Sequence, residues 1–176
     1  LFRDQLDRFG EIDRIQATIA EALAKTPETT FVFNGDDPLC AAIADRIPNK
    51  SLAFGIASDM GLSADRISDS RFCQKCGGAL EYDYVHYGQL GAYRCPDCGW
   101  ARPELAFAAT NVRLEEDGFV FDIDGRSVHT GHTGAYMVYN VLAAYAISKL
   151  SGIVSFENYQ AAVREYHPTN GRLQTF

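Results

Sequence analysis

No stretch of about eighteen apolar side chains occurs in the 176 residues, so no segment is long and apolar enough to cross a bilayer as a helix. No run of Lys or Arg occurs either. With 16 basic residues against 23 acidic ones the net charge is −7, which excludes nucleic acid as the expected partner. A Gly-x-x-x-x-Gly-Lys-[Ser/Thr] phosphate loop is missing, so these residues alone cannot cradle a triphosphate. There is no internal repeat and no low-complexity tract. The start, Leu1-Phe2-Arg3-Asp4, has neither an initiating Met nor the pattern of a signal peptide. The chain therefore reads as an excised segment of a longer protein, and the cytosol is the expected compartment if its thiols stay reduced.

Five cysteines are present, and four of them form two Cys-x-x-Cys pairs, Cys73/Cys76 and Cys95/Cys98, with eighteen residues between the pairs. Two residues between cysteines let one tight turn aim both thiolates at one ion, and two such knuckles complete a tetrahedral four-cysteine site. Glycines follow both knuckles, Gly77-Gly78 and Gly99, where the returning backbone needs a positive φ. Between them, Glu81 to His86 and Gln89 to Arg94 are two tyrosine-rich stretches of strand character, so residues 71–100 read as a zinc ribbon. Four thiolates on one divalent ion leave a charge of minus two, partly offset by Lys75 and Arg94, and no position open for water, so the zinc would be structural. The competing reading is two disulfides or idle thiols. Cys40 stands apart as a small buried hydrophobe.

The rest of the chain alternates helices and strands. Ile12, Ile15, Ile19, Ala20 and Leu23 recur at helical spacing and predict an amphipathic helix from Glu11 to Lys25. Thr30 to Phe33 predicts a buried strand, followed by a turn in which Asp37 caps a helix opened by Pro38 and running to Ile47. Ser51 to Ile56 is the next strand, which favours a parallel βαβ arrangement. Beyond the ribbon, Leu105 to Leu114, Gly118 to Ile123 and Ser127 to Thr130 are expected as antiparallel strands. Tyr136 to Leu150 and a Ser155-capped segment reaching about Tyr166 are expected as helices. Composition and periodicity alone stop at a soluble α/β body carrying a zinc ribbon. On that reading, replacing one ligand, as in Cys95→Ser, unfolds the ribbon and leaves the body intact.

Four short segments in order resemble the Mur ligase family. Asp4-Gln5-Leu6-Asp7 is similar to the family's Asp-His-Leu-Asp segment, and Asn34-Gly35-Asp36-Asp37-Pro38 to its Asn-x-Asp-Asp-Pro turn. Gly134 to Ala144, with Asn140, resembles its Gly-x-His-Asn-x-x-Asn-x-x-Ala-Ala helix start, and Asn170-Gly171-Arg172 the Gly-Arg that opens its C-terminal domain. A cysteine ribbon within the middle domain points to the MurT-type branch. The resemblance implies a Mur-ligase-like α/β middle domain at 1–70 and 101–168, an inserted ribbon at 71–100, and the start of a linker at 169–176. It implies a phosphate loop upstream of Leu1. It also implies an ATP-dependent, amide-forming ligase subunit that activates the D-glutamate α-carboxyl of the lipid II stem peptide, while a glutaminase partner supplies ammonia. Asn140 and Arg172 would contact ATP. Gln5 would stand where the family's His helps hold magnesium, as a neutral oxygen donor.

The same resemblance has departures and rivals. No Lys lies on the first helix before Lys25, where many ligases carry a carbamylated Lys, and Tyr136-Met137 replace the family's His-Asn pair. Gln174 stands where many ligases have Glu. Asp4, Asp7 and Arg8 also suit a helix-capping cluster with a surface ion pair, and Asp36-Asp37-Pro38 suits a turn with an N-cap. His129 and His132 lack acidic or cysteine company and suit a loop. His86 is surplus to a site already completed by four cysteines, and Tyr82, Tyr84, Tyr87, Tyr93 and Trp100 suit a ribbon core better than a stacking surface. The alternatives in function are a conventional ligase adding an amino acid to a nucleotide-linked precursor, and a non-catalytic zinc-ribbon interaction module.

Overall fold

The computed structural model describes residues 12–61 and 71–166. Gln5, Arg172 and the other residues of interest at 1–11 and 167–176 lie outside the described residues. The elements in chain order are α1 (Ile12–Ala24), β1 (Phe31–Asn34), α2 (Pro38–Ala44), β2 (Ser51–Ile56), β3 (Glu81–Tyr87), β4 (Leu90–Arg94), β5 (Leu105–Glu115), β6 (Gly118–Ile123), β7 (Arg126–His129), α3 (Tyr136–Ser151) and α4 (Phe156–Glu165).

Five strands form one sheet in the order β1-β2-β5-β6-β7, and β3 and β4 form a separate antiparallel hairpin. The pairs β1/β2 and β2/β5 are parallel, whereas β5/β6 and β6/β7 are antiparallel. This follows from the sequence. Phe31-Val32-Phe33 and Leu52-Ala53-Phe54 are unbroken apolar runs, as strands covered on both faces require, while the tight turns after Glu115 and Ile123 let neighbouring strands reverse. Alternation along these runs separates two cores. Val32, Leu52 and Phe54 join Phe107, Phe121 and Ile123 beneath α3, which contributes Val138, Val141, Leu142, Tyr145 and Ala146. Phe31, Phe33 and Ala53 face the opposite way, onto Ala41 and Ala42 of α2.

Two helices differ from expectation, each for a local reason. α2 ends at Ala44 instead of Ile47, because Ile47 precedes Pro48 and the α conformation is disfavoured there. α1 places Gln16 inside its apolar stripe, fully buried, with its amide Nε2 donating to the Leu39 carbonyl at 2.8 Å. α2 starts as expected: Pro38 opens it, and the Asp37 carboxylate accepts from the Leu39 amide at 3.0 Å. At the other end α3 stops at Gly152, whose φ of 63° is a left-handed C-cap that glycine supplies without strain.

Candidate functional site

The two Cys-x-x-Cys turns face each other. All four Sγ atoms lie within 4.8 Å of one another, with Cys73 to Cys98 at 3.6 Å and Cys76 to Cys95 at 3.5 Å. All are free thiols, so disulfide pairing is overturned. A metal with bonds of about 2.3 Å to four sulfurs at tetrahedral angles sets an S···S edge of about 3.8 Å, and the cluster has that size. The knuckles share one hydrogen-bond plan. Gly77 N–H returns to the Cys73 carbonyl at 2.9 Å and Gly99 N–H to the Cys95 carbonyl at 3.0 Å, with φ values of 78° and 75°. The Lys75 and Gly78 amides point at the Cys73 and Cys76 sulfurs at 3.4 and 3.5 Å, the orientation that stabilises thiolate. Burial opposes ionisation of Cys73, but the Lys75 and Cys76 amides and the facing thiols outweigh it and bring its pKa down to about 7.

The ribbon does not stand alone. Cys73, Cys95, Tyr93 and Trp100 belong to one apolar cluster with Phe33, Ala41, Ala42 and Ala53 of the sheet and α2. Of the aromatics expected to fill a private ribbon core, Tyr82, Tyr93 and Trp100 fill this shared one, whereas the Tyr84 hydroxyl donates to the Ile56 carbonyl at 3.3 Å and Tyr87 is exposed. Trp100 Nε1 donates to Asp45 Oδ2 at 2.8 Å, and the Lys75 ammonium pairs with the same oxygen at 3.1 Å. Arg94 is held by Glu81 at 2.7 Å. Neither basic side chain is thus reserved for the sulfur cluster, and the local offset to its charge comes from amide N–H groups.

Where the ribbon returns to the sheet, Asp36 gathers three elements. Its carboxylate is fully buried and accepts from the Ile56 amide at 2.8 Å, from Tyr139 Oη at 2.9 Å and from Arg102 Nη1 at 3.0 Å. The same Arg102 nitrogen donates to the Ile56 carbonyl at 3.0 Å, and its guanidinium lies 5.6 Å from the centre of the Tyr84 ring. Burial pushes the Asp36 pKa up from the ordinary carboxylate value, while the Ile56 amide, Arg102 and Tyr139 pull it back. A buried carboxylate with three donors, one of them cationic, is the arrangement in which the ion can persist. The Asp-Asp-Pro turn thus divides its labour: Asp37 caps α2, and Asp36 ties β1 to β2, to α3 and to the ribbon's exit.

His86 on β3 is only 3% exposed, and neither ring nitrogen has a hydrogen-bond partner among the described residues. It plays no part in the sulfur cluster. Burial lowers its pKa to about 4 against the opposing pull of Asp59. The unfolded chain, with an ordinary value near 6.5, takes up this proton first. Stability is therefore fully present above about pH 6.5, declines as pH falls toward about 4, and is constant below. The decline is expected to be on the order of 2–3 kcal/mol. His86→Phe should flatten that part of the slope in urea unfolding followed between pH 7 and pH 4; an unchanged slope would place the acid sensitivity elsewhere.

Asn140 is exposed on the first turns of α3, its amide Nδ2 3.7 Å from Met137 Sδ. It borders a cleft of about 400 Å³ between α3 and α4, lined chiefly by Met137, Val141, Ala144, Tyr159 and Val163. His129 lies 3.1 Å from Asp117, and His132 contacts the Tyr166 carbonyl at 3.2 Å, so the two histidines converge on no common ligand. Cys40 is half-buried, not the fully buried hydrophobe expected; its thiol donates to Asp37 at 3.3 Å, and burial, with the Asp37 charge second, pushes that thiol up to about 12. No described helix is long and apolar enough to cross a membrane.

No family model matches the chain. Among curated proteins it is 39% identical over 179 residues to the lipid II isoglutaminyl synthase (glutamine-hydrolyzing) subunit MurT of Streptococcus pneumoniae (strain ATCC BAA-255 / R6). That match covers 100% of this chain and 39% of the relative. The subunit of the same name from Staphylococcus aureus (strain COL) is 30% identical over 177 residues, covering 99% of this chain and 39% of the relative. A solved pseudomurein peptide ligase type C from Methanothermus fervidus superposes with a TM-score of 0.77 at 24% identity, over 98% of this chain and 34% of that one. The chain spans about two fifths of the length of the curated relatives it matches. It shares the fold of that solved ligase, carries a cysteine cluster able to hold a metal ion, and over its whole length is similar to part of the MurT subunits of lipid II isoglutaminyl synthase.

Proposed function

We propose that these residues are the larger part of the middle domain of an ATP-dependent ligase subunit that amidates the D-glutamate α-carboxyl of the lipid II stem peptide. The observation that carries this reading is the whole-length 39% identity to a subunit named for that synthesis. The carboxylate would take the γ-phosphoryl group of ATP with ADP leaving, and ammonia from a glutaminase subunit would then displace phosphate to leave D-isoglutamine. The domain would comprise 1–70 and 101–168, with the ribbon at 71–100 and a linker beginning at 169. The phosphate loop would lie in the longer protein, upstream.

Local chemistry supports individual assignments. Four thiolates at tetrahedral spacing suit zinc in a closed, structural role, and a site of that kind suits a reducing cytoplasm. In open α/β sheets ligands settle beyond the carboxyl ends of the parallel strands, where Asp36, Ile56 and the start of α3 meet. Asn140 stands on those first turns beside an apolar cleft, and an amide at the rim of an apolar cleft suits adenine. Arg172 would reach the nucleotide from the following segment, and Gln5 would accept magnesium directly or through water.

The full-length protein mixed with a glutaminase subunit should convert the stem-peptide D-glutamate to D-isoglutamine, with ATP indispensable and ammonium able to replace glutamine. Transfer of an amino acid to a nucleotide-linked precursor instead would establish the conventional ligase. In that protein Asn140→Ala is expected to weaken ATP binding by about 1–3 kcal/mol, the range for leaving a partner unsatisfied. Calorimetry checks this, and an unchanged affinity removes Asn140 from the nucleotide site.

A further inference from the structure

The Asp36 carboxylate has no access to solvent, and the cation that compensates it, Arg102, is delivered four residues after the last cysteine of the ribbon. Arg102 is fixed at its backbone too, where its N–H donates to the Tyr93 carbonyl of β4 at 2.9 Å. The adjoining Arg94–Ala101 bridge closes the second knuckle onto the same strand. A second ribbon contact reaches the hub directly: Gly91 N–H donates to the Asp36 carbonyl at 3.0 Å. Room around the carboxylate is filled, since a Cβ at Gly55 would come within 2.5 Å of it. From Asp36 the chain of contacts continues through Tyr139 Oη into α3, one residue before Asn140.

We propose that the metal-loaded ribbon is a latch on α3: by seating Arg102 against Asp36 it keeps that carboxylate ionised and available to Tyr139, and so fixes the first turns of the helix. Arg102, Asp36 and Tyr139 are positioning residues. They act through α3 on Asn140, and that last step rests on the nucleotide reading above. A metal far from the reacting atoms would then control how well the nucleotide is held. The physical reason is the cost of an uncompensated buried carboxylate. If the ribbon lets go, Asp36 must either protonate on Oδ1, the oxygen that Arg102 vacates, which turns its charge-assisted bond to Tyr139 into a weaker neutral one, or open the strand ends to water, which loosens that bond.

The test uses the full-length protein and reads hydrogen exchange in peptides covering residues 136–142 alongside the KM for ATP. In Arg102→Met, metal analysis should still find one zinc per chain, while these amides exchange at least tenfold faster. The ATP KM should rise about tenfold with a much smaller change in kcat. Arg102→Lys should restore most of both. Tyr139→Phe, which removes one hydroxyl and keeps the packing, should reproduce the effect on 136–142 at reduced size even if Arg102→Met folds poorly. Stripping zinc with a chelator should accelerate exchange in 136–142 as well as in 71–100. If the ribbon alone loosens on stripping, or if 136–142 keep their protection in both variants, the latch is overturned. Faster exchange in a protein whose unmodified form shows no ATP affinity would sustain the latch and refute the nucleotide reading.

Discussion

Cys95→Ser is expected to abolish metal binding and to shift Trp100 emission to the red. It should also lower the melting temperature of the remaining body by roughly 6–12 °C. A structural zinc contributes about 10–16 kcal/mol to the folding of a small metal-bound unit, which exceeds what 30 residues can supply without it. The ribbon must therefore come apart. The effect on the body follows from the shared core. Tyr93 and Trp100 are 2% and 8% exposed against Phe33, Ala41 and Ala42, and losing either contact is a large-to-small change of about 3 kcal/mol or more. For a domain of this size each kcal/mol shifts the midpoint by about 2–4 °C. Trp100 is the single tryptophan in the chain, so its fluorescence reports ribbon docking without a label. Unchanged emission together with an unchanged melt would show that the two cores are independent, as the sequence alone suggested.

Arg102→Met is expected to destabilise the protein by about 3–5 kcal/mol in urea unfolding, because it strands Asp36 as an uncompensated buried charge. Asp36→Asn alone should cost less, about 1.5–3 kcal/mol, since Arg102 retains 20% side-chain exposure and can reach water. The double variant should then be more stable than Arg102→Met alone, because the neutral amide needs no counter-ion. Strict additivity of the two changes, within about 0.5 kcal/mol, would mean that the pair does not interact as the 3.0 Å contact implies.

The contrast between these two sites shows what a sequence discloses. The cysteine cluster was legible because a knuckle is local: two intervening residues and a following glycine determine where both sulfurs point. Asp37 was legible for the same reason, since a cap acts two residues along the chain. Asp36, its neighbour, was not. Its partners lie 20, 66 and 103 residues away, at Ile56, Arg102 and Tyr139, and no spacing rule connects them. Gln16 was hidden differently, by sitting at a position where the helical stripe calls for an apolar residue. The turn at Asp36-Asp37-Pro38 was visible in the sequence both as a family resemblance and as simple capping chemistry. The structure gives it a third part, as the junction of sheet, helix and ribbon.

The face of the sheet carrying Phe31, Phe33 and Ala53 has a consequence for anyone wishing to trim this protein. In many folds an excursion between two strands can be cut back to a short linker, because what it leaves behind was already facing water. Here residues 71–100 share with α2 the covering of one side of the strands. Deleting 71–100 would bare a patch of phenylalanine and alanine and remove Tyr93 and Trp100 from it. A minimal version would have to be repainted with polar side chains at Phe33, Ala41 and Ala53 before it could remain dispersed at ordinary concentrations. By the same logic, a lineage that lost its cysteines would have to acquire a substitute cover for these strands at the same time.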